Sequence, residues 1–370
     1  MKISLITMQG VYNYGSALQT YATVTALEKL GHDVEIVDYY PARMRNYGSL
    51  KQLYRDALPF HPKWKCFVIA VVKYPSMDSL KKVFRPFREK FFNMTIKYES
   101  NEELIDNPPV ADCYCTGSDQ VWNDFLDGGF DKAYFLNFAP QGFKKIALAA
   151  SFGRDDISQD ELSPVKNLLE QYDAISVREE SGLSILGNIN VPLKECILDP
   201  TFLLKADEWK SLAEPIKEKD YILVYQLHED SITADAAIAI GNISGKKVIR
   251  ISTDRLKRIK EGKTVFFPTI GEFISYIKNA DLVVTDSFHA TAFSIMFGTQ
   301  FVSISWKMFN DRIKTILRKT GLENRFASTV NSALIVAAQD ADFSQAFALL
   351  ERERDKVNHY INEALQAGDI

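Results

Sequence analysis

The chain has 370 residues, 46% hydrophobic and 25% charged, with a formal net charge of −4. That length is about twice an ordinary domain, so two domains are expected, and the composition is that of a globular protein rather than a disordered or fibrous one. The mild negative charge excludes a chain-wide attraction to nucleic acid or membrane and leaves only a local patch to provide one.

The opening Met1-Lys2-Ile3-Ser4-Leu5-Ile6-Thr7 lacks the apolar stretch and small-residue cleavage site of a signal peptide. No run of about 18 apolar residues offers a membrane span. A cytoplasmic protein is expected, with or without peripheral contact at the inner membrane face. The four cysteines, Cys66, Cys113, Cys115 and Cys196, read as reduced thiols. Cys113 and Cys115 share one face of an apparent strand. Their spacing is wrong for a zinc knuckle, so buried packing is expected and no metal.

The chain begins β-loop-α-β. Ile3 to Thr7 is a short apolar run, and a helix is expected from about Ser16 to Leu30, with Leu18, Tyr21, Val24 and Leu27 at helical spacing. Gly31 stops it, and Val34 to Val37 follows as a strand. Residues 41–100 show no clear strand and read as helices interrupted by Pro59, Pro62, Pro75 and Pro86. This stretch carries thirteen Lys/Arg against four Asp/Glu, interleaved with aromatics such as Tyr54, Phe60, Trp64 and Phe67. Strand signals resume at 111–115, 145–149, 174–177 and 196–198. A second lobe begins at Tyr221 to Tyr225 and continues with strands at 247–251, 282–284 and 301–304, separated by helices near 231–241, 271–279 and 288–297. Such alternation implies parallel sheets covered on both faces. The expected division is a Rossmann-like lobe over 1–205 with a helical basic insertion at about 41–100, a second lobe over 206–330, and a helical segment over 331–370.

In open α/β sheets ligands bind outside the carboxyl ends of the strands. Thr285-Asp286-Ser287-Phe288-His289 is the strongest such segment: an apolar strand ends, a helix begins, and Asp286 or Ser287 can cap it. The free amides and partial positive charge of that helix end suit a phosphate or carboxylate. The dipole lowers the proton affinity of His289, and a bound anion raises it again, which suits a general acid; the competing reading is a histidine hydrogen-bonded to a neighbouring loop. His228, at another strand end, is the competing histidine. In Gly117-Ser118-Asp119-Gln120-Val121-Trp122-Asn123, Ser118 and Gln120 can bind hydroxyls and Asp119 can act as a base, or the loop merely caps a helix. Asn13 and Gly15 lie in a similar strand-to-helix loop that is not a dinucleotide fingerprint. Arg178 offers either a bidentate anion fork or a surface ion pair with Glu179 or Glu180.

Taken in order, these segments resemble the polysaccharide pyruvyl transferase family. They include Asn13-Tyr14-Gly15-Ser16-Ala17-Leu18-Gln19, Gly117 to Asn123, Ala150-Ser151-Phe152-Gly153, Ser176-Val177-Arg178-Glu179, Leu198-Asp199-Pro200-Thr201 and Thr285 to Ser294. The resemblance implies a bacterial enzyme of exopolysaccharide or capsule biosynthesis with a GT-B-like fold: two Rossmann-type lobes whose parallel sheets face a cleft. It implies transfer of a pyruvyl group from phosphoenolpyruvate to sugar hydroxyls as a ketal, with no cofactor. His289 matches the family's catalytic histidine and Arg178 an arginine that binds the donor. Some branches carry Arg where this chain has Ser287, and Arg312, Lys307 and Arg250 are the candidates to replace that contact. The expected substrate-binding set is therefore Arg178, Ser287, Phe288, Asn13, Gly15, Ser118, Gln120 and Arg312, with His289 and Asp119 catalytic. The expected partners are phosphoenolpyruvate and a saccharide acceptor, lipid-linked or not, and no nucleic acid. The region 41–100 is the candidate for peripheral membrane contact. The alternatives are a nucleotide-sugar glycosyltransferase on the same fold and a non-catalytic glycan-binding relative.

Overall fold

The computed structural model describes residues 1–41, 44, 46–123, 130–228, 232–306 and 310–366. The chain divides into two compact units. The first comprises Met1–Arg45, Glu89–Leu204 and Ala348–Ile370, the second Asn46–Arg88 and Lys205–Phe347.

In chain order the elements are β1 (Lys2–Ile6), α1 (Tyr14–Lys29), β2 (Asp33–Tyr39), α2 (Leu50–Ala57), α3 (Lys63–Phe91), β3 (Met94–Tyr98), α4 (Asn101–Asp106), β4 (Cys113–Thr116), β5 (Lys144–Ala150), α5 (Gln159–Leu169), β6 (Ala174–Val177), α6 (Glu180–Ile185) and β7 (Leu193–Cys196). There follow α7 (Ala206–Leu212), β8 (Tyr221–Tyr225), α8 (Thr233–Ser244), β9 (Lys247–Ser252), β10 (Lys263–Phe266), α9 (Ile270–Lys278), β11 (Leu282–Thr285), α10 (Phe288–Phe297), β12 (Phe301–Ile304), α11 (Asp311–Thr320), β13 (Phe326–Ala327), α12 (Val330–Ala337) and α13 (Ser344–Gln366).

The first unit holds a seven-stranded sheet ordered β3-β2-β1-β4-β5-β6-β7, the second a six-stranded sheet ordered β10-β9-β8-β11-β12-β13. The pairings are parallel throughout. Each sheet winds one way from its first strand and then reverses, so the switch points lie between β1 and β4 and between β8 and β11. Inner strands such as Ala174-Ile175-Ser176-Val177 and Leu282-Val283-Val284-Thr285 are buried along their whole length, which is why apolar residues dominate them. The first core gathers Ile6, Tyr114, Trp122 and Phe152, and the second Ile222, Val224, Val284 and Val302.

Three expectations are corrected. The stretch 41–100 does contain a strand: β3 pairs with β2 through Ile36–Met94 and Tyr39–Tyr98. It is an edge strand with Ile96 and Lys97 facing solvent, so it lacks the apolar run that marks the central strands. Pro75 and Pro86 do not interrupt the helix; α3 runs 29 residues through both. Each proline removes one N–H from the ladder, and Ser79 Oγ donates back to the Pro75 carbonyl at 2.9 Å in the same stretch. Finally, residues 46–88 group with the second unit rather than the first, and the terminal helical segment is shared, because α13 passes from the second unit into the first at 347/348. Tyr360 of α13 donates to the Ala147 carbonyl on β5 at 2.9 Å, which anchors it there.

Candidate active site

At the switch point of the first sheet, Asn13 caps α1 and accepts from the amides of Gly15 and Ser16 at 2.8 and 3.3 Å. This turns the Ser16 side chain toward the loop after β4. There the Ser16 hydroxyl donates to Asp119 Oδ2. Asp119 has φ of 84°, a backbone state that costs a non-glycine residue free energy and is held by its surroundings. Its Oδ1 accepts from the Gln120 amide at 2.9 Å and from Arg178 at 3.3 Å. Arg178 also donates to Asp199 at 2.9 Å, and Glu179 stands 3.7 Å from its Nε. Ser118 Oγ donates to Asp199 at 2.9 Å, and the other Asp199 oxygen accepts from Thr201.

The Arg178 side chain is 0% exposed. Burial alone would lower its proton affinity, but Asp119, Asp199 and Glu179 outweigh burial and raise it, so the guanidinium stays charged. Arg178 is thus not a surface ion pair but a buried one, with Nη1 donating to Asp199 and Nη2 to Asp119. Asp119, itself buried, accepts from Ser16, Gln120 and Arg178. Ser118 is likewise occupied by Asp199. Gln120 accepts from Asn123 at 2.7 Å, and both pack on Gly153, where a Cβ would meet Gln120 Oε1 and Asn123 Nδ2 at 2.6 Å. Asn13 and Gly15 serve the α1 cap. The structure thus brings Ser118, Asp119 and Arg178 together, with Ser16, Glu179 and Asp199 as members that the sequence reading did not select. Asp199 carried a signal, since it stands between a strand and Pro200.

The second switch point is built differently. Ser287 caps α10 and accepts from the Ala290 amide at 3.4 Å, while Thr285 Oγ1 accepts from the Ser287 amide at 3.0 Å. Asp286 is therefore released from capping and turns back to the loop after β8. Its Oδ1 accepts from the Leu227 amide at 2.7 Å, and its Oδ2 from the His228 amide at 3.0 Å. The same Oδ2 lies 3.2 Å from His228 Nδ1. A neutral His228 ring facing this carboxylate oxygen would carry its proton on Nδ1 and leave Nε2 as an acceptor. The ring is 28% exposed and stacks on Trp306, with centroids 3.9 Å apart and planes 12° apart. Asn310 holds Trp306 in turn by accepting from its amide at 3.0 Å.

His289 occupies the first turn of α10, buried, with its ring edge-to-face against Phe288 at 5.1 Å. Ser287, Phe288 and His289 thus sit together as one helix end. Arg312 lies half-buried in the first turn of α11 and Arg250 half-buried on β9; Lys307 falls outside the described residues. His228 was read as a competitor of His289. The geometry instead places both at one switch point: His289 in the first turn of α10, and His228 held by Asp286, which precedes His289 by three positions. Among the described residues no cluster of three His, Cys, Asp or Glu side chains is arranged to hold a metal ion.

The family model described as polysaccharide pyruvyl transferase matches residues 13–308, most of the chain. No curated protein matches its sequence. Similar solved structures include a putative UDP-N-acetylglucosamine 2-epimerase from Listeria monocytogenes, 11% identical with a TM-score of 0.58 over 100% of this chain and 97% of that one. UDP-GlcNAc 2-epimerase from Methanocaldococcus jannaschii is 14% identical with a TM-score of 0.54 over 98% and 100%. Arabidopsis thaliana UGT89C1 complexed with quercetin is 11% identical with a TM-score of 0.51 over 99% of both chains. At these identities the likeness concerns the fold alone: two parallel-sheet Rossmann-like lobes of the GT-B kind, as the sequence led one to expect.

Proposed function

Because the chain belongs to the polysaccharide pyruvyl transferase family, we propose that it moves a pyruvyl group from phosphoenolpyruvate onto two hydroxyls of a glycan, forming a cyclic ketal and releasing phosphate. The observation that carries this reading is the pair of imidazoles at the second switch point: His289 in the first turn of α10, and His228 oriented by Asp286 at 3.2 Å.

The chemistry needs one acid and one base. The donor's methylene carbon takes a proton and becomes a methyl group, making the adjacent carbon electrophilic. A sugar hydroxyl adds there and loses its proton; the carbon–oxygen bond to phosphate breaks; the second hydroxyl adds and loses its proton, while the departing phosphate takes one up. His289 is the acid in this reading. Its place on α10 sets it beside the amides of a helix end, which favour the carboxylate or phosphate of the donor. His228 is the base, since Asp286 fixes the tautomer that leaves Nε2 ready to accept, and stacking on Trp306 holds the ring plane. The role first considered for Asp119 passes to His228. Ser287 and Phe288 shape the helix end, and Arg312 is the cation considered for the donor's second charge.

Phosphate release from phosphoenolpyruvate, measured with a panel of acceptor saccharides, tests the reading. Acceptor-dependent release that collapses in His289→Ala and His228→Ala supports it. Turnover of a UDP-sugar with no release from phosphoenolpyruvate would replace it with the glycosyltransferase alternative.

A further inference from the structure

The second unit carries a surface that neither sheet nor the proposed chemistry uses. On α3 the side chains of Cys66, Ala70, Leu80 and Phe84 are buried, so this line of the helix packs inward. The opposite line is also apolar yet faces solvent: Trp64, Phe67, Val68 and Val71, at i, i+3, i+4 and i+7, are all exposed, Trp64 by 72% and Phe67 by 63%. Phe60, just before the helix, is 79% exposed. A helix apolar on two opposite faces buries one in its own fold and leaves the other in need of a non-aqueous neighbour.

The charge around this stripe identifies the neighbour. Residues 46–88 hold nine Lys/Arg against two Asp in a chain whose net charge is −4. Lys63 and Lys65 flank Trp64, and Lys73 follows the stripe; all three are exposed. A second basic segment, distant in sequence, meets the same helix. The Arg255 amide donates to Ser76 Oγ at 3.1 Å, and its guanidinium to Ser79 Oγ at 3.1 Å. Arg255 opens the run Arg255-Leu256-Lys257-Arg258-Ile259-Lys260, in which Leu256 is 63% exposed. Two basic segments thus converge on one helix, each presenting apolar side chains among its cations.

We propose that α3 and the 255–260 loop form a peripheral docking surface for an anionic phospholipid bilayer, with the stripe from Phe60 to Val71 entering the headgroup–acyl boundary and the surrounding lysines and arginines meeting lipid phosphates. Aromatic and basic residues also suit nucleic acid, but Val68 and Val71 have no ring to stack on a base, whereas a bilayer accepts aliphatic and aromatic side chains alike. Among the described residues no helix is long and apolar enough to cross a membrane, so the contact lies on the surface. The inference stands independently of the catalytic reading.

Sedimentation of the full chain with extruded vesicles tests it. Vesicles of phosphatidylcholine with phosphatidylglycerol should bind at low salt and release most of the protein at about 0.5 M salt, where the screening length falls to a few ångströms, while pure phosphatidylcholine binds weakly. Lys63→Glu with Lys65→Glu should weaken binding by at least roughly tenfold, as each cation near an anionic leaflet contributes on the order of a fivefold factor. Trp64→Ser with Phe67→Ser should weaken it comparably at every salt concentration. All four substituted side chains are solvent-exposed, so melting temperature and any activity on a soluble acceptor should stay unchanged. Three results overturn the proposal: no sedimentation with phosphatidylglycerol vesicles at low salt; a dimer that Phe67→Ser dissociates, showing that a second copy covers the stripe; or duplex DNA bound as tightly as vesicles with no loss in Trp64→Ser with Phe67→Ser.

Discussion

The two switch points use an aspartate in the same topological place for opposite ends. In the first sheet Asp119, after β4, reaches back to Ser16 near β1; in the second, Asp286, after β11, reaches back to Leu227 and His228 near β8. Asp119 is tied to a guanidinium that two further carboxylates enclose, with no exposed side-chain surface on Arg178. Asp286 instead spends its second oxygen on an imidazole that solvent reaches. Two aspartates in the same topological place thus differ in their partners: one is enclosed with a buried guanidinium, the other holds an imidazole that solvent reaches.

The largest effect expected from this contrast is on turnover at the second switch point. His289→Ala should lower acceptor-dependent phosphate release by roughly 10²- to 10⁴-fold while leaving the urea midpoint near that of the parent; a drop below tenfold would break the assignment. At the first switch point the damage should be to the fold. Arg178→Ala leaves three carboxylates of one buried cluster without their cation and should lower unfolding free energy by about 3–5 kcal/mol, read as a reduced midpoint in urea. If Arg178→Ala kept its stability and lost only affinity for phosphoenolpyruvate, the distinction between the two sites would be reversed. Asp286→Asn should be milder, with a loss of about ten- to a hundredfold in turnover and an altered pH profile, because the ring stays stacked on Trp306 while its preferred tautomer is lost.

Smaller effects sharpen the picture of the first unit. Gly153 has φ of +68° and no room for a methyl group against Gln120 and Asn123, so Gly153→Ala should cost about 1–3 kcal/mol, again measured in urea. The thiols give a pH test. Burial pushes Cys113 from an ordinary value of 9.0 up to about 12, with Lys144 lowering it somewhat, and Cys115 is raised as well by burial. The folded state thus favours the neutral thiol. Its contribution is intact below the unfolded value and is lost as pH rises from near 9 toward 12. Native protein should resist iodoacetamide at pH 8.5 and react once unfolded, and Cys113→Ala should flatten the alkaline loss of stability.

The central strands were legible because burial on both faces leaves short runs dominated by apolar residues, and α10 was legible because Ser287 and Gly298 bracket an apolar helix. The edge strand β3 was not, since solvent on its outer side admits Lys97 and Ile96 together. The prolines of α3 misled for a related reason: a long helix can give up isolated N–H bonds where its neighbours still hold it. The place of His289 in the first turn of α10 could be read from the strand-to-helix pattern alone. The burial of Arg178 could not, because its pairing with Asp119 and Asp199 depends on residues 59 and 21 positions away, and a guanidinium reads the same in sequence whether it is buried or exposed. His228 was visible as a strand-end histidine, but its partner Asp286 is 58 positions distant and looked like a helix cap.

The first unit is stitched from three separate stretches of chain, the last of them beginning at 348. Lys144 of β5 donates to the Leu365 carbonyl and Tyr360 closes over Ala147, so part of the cover of this sheet comes from residues made more than two hundred positions later. A chain halted near 347 would hold the strands of both sheets but lack the part of α13 that packs on β5.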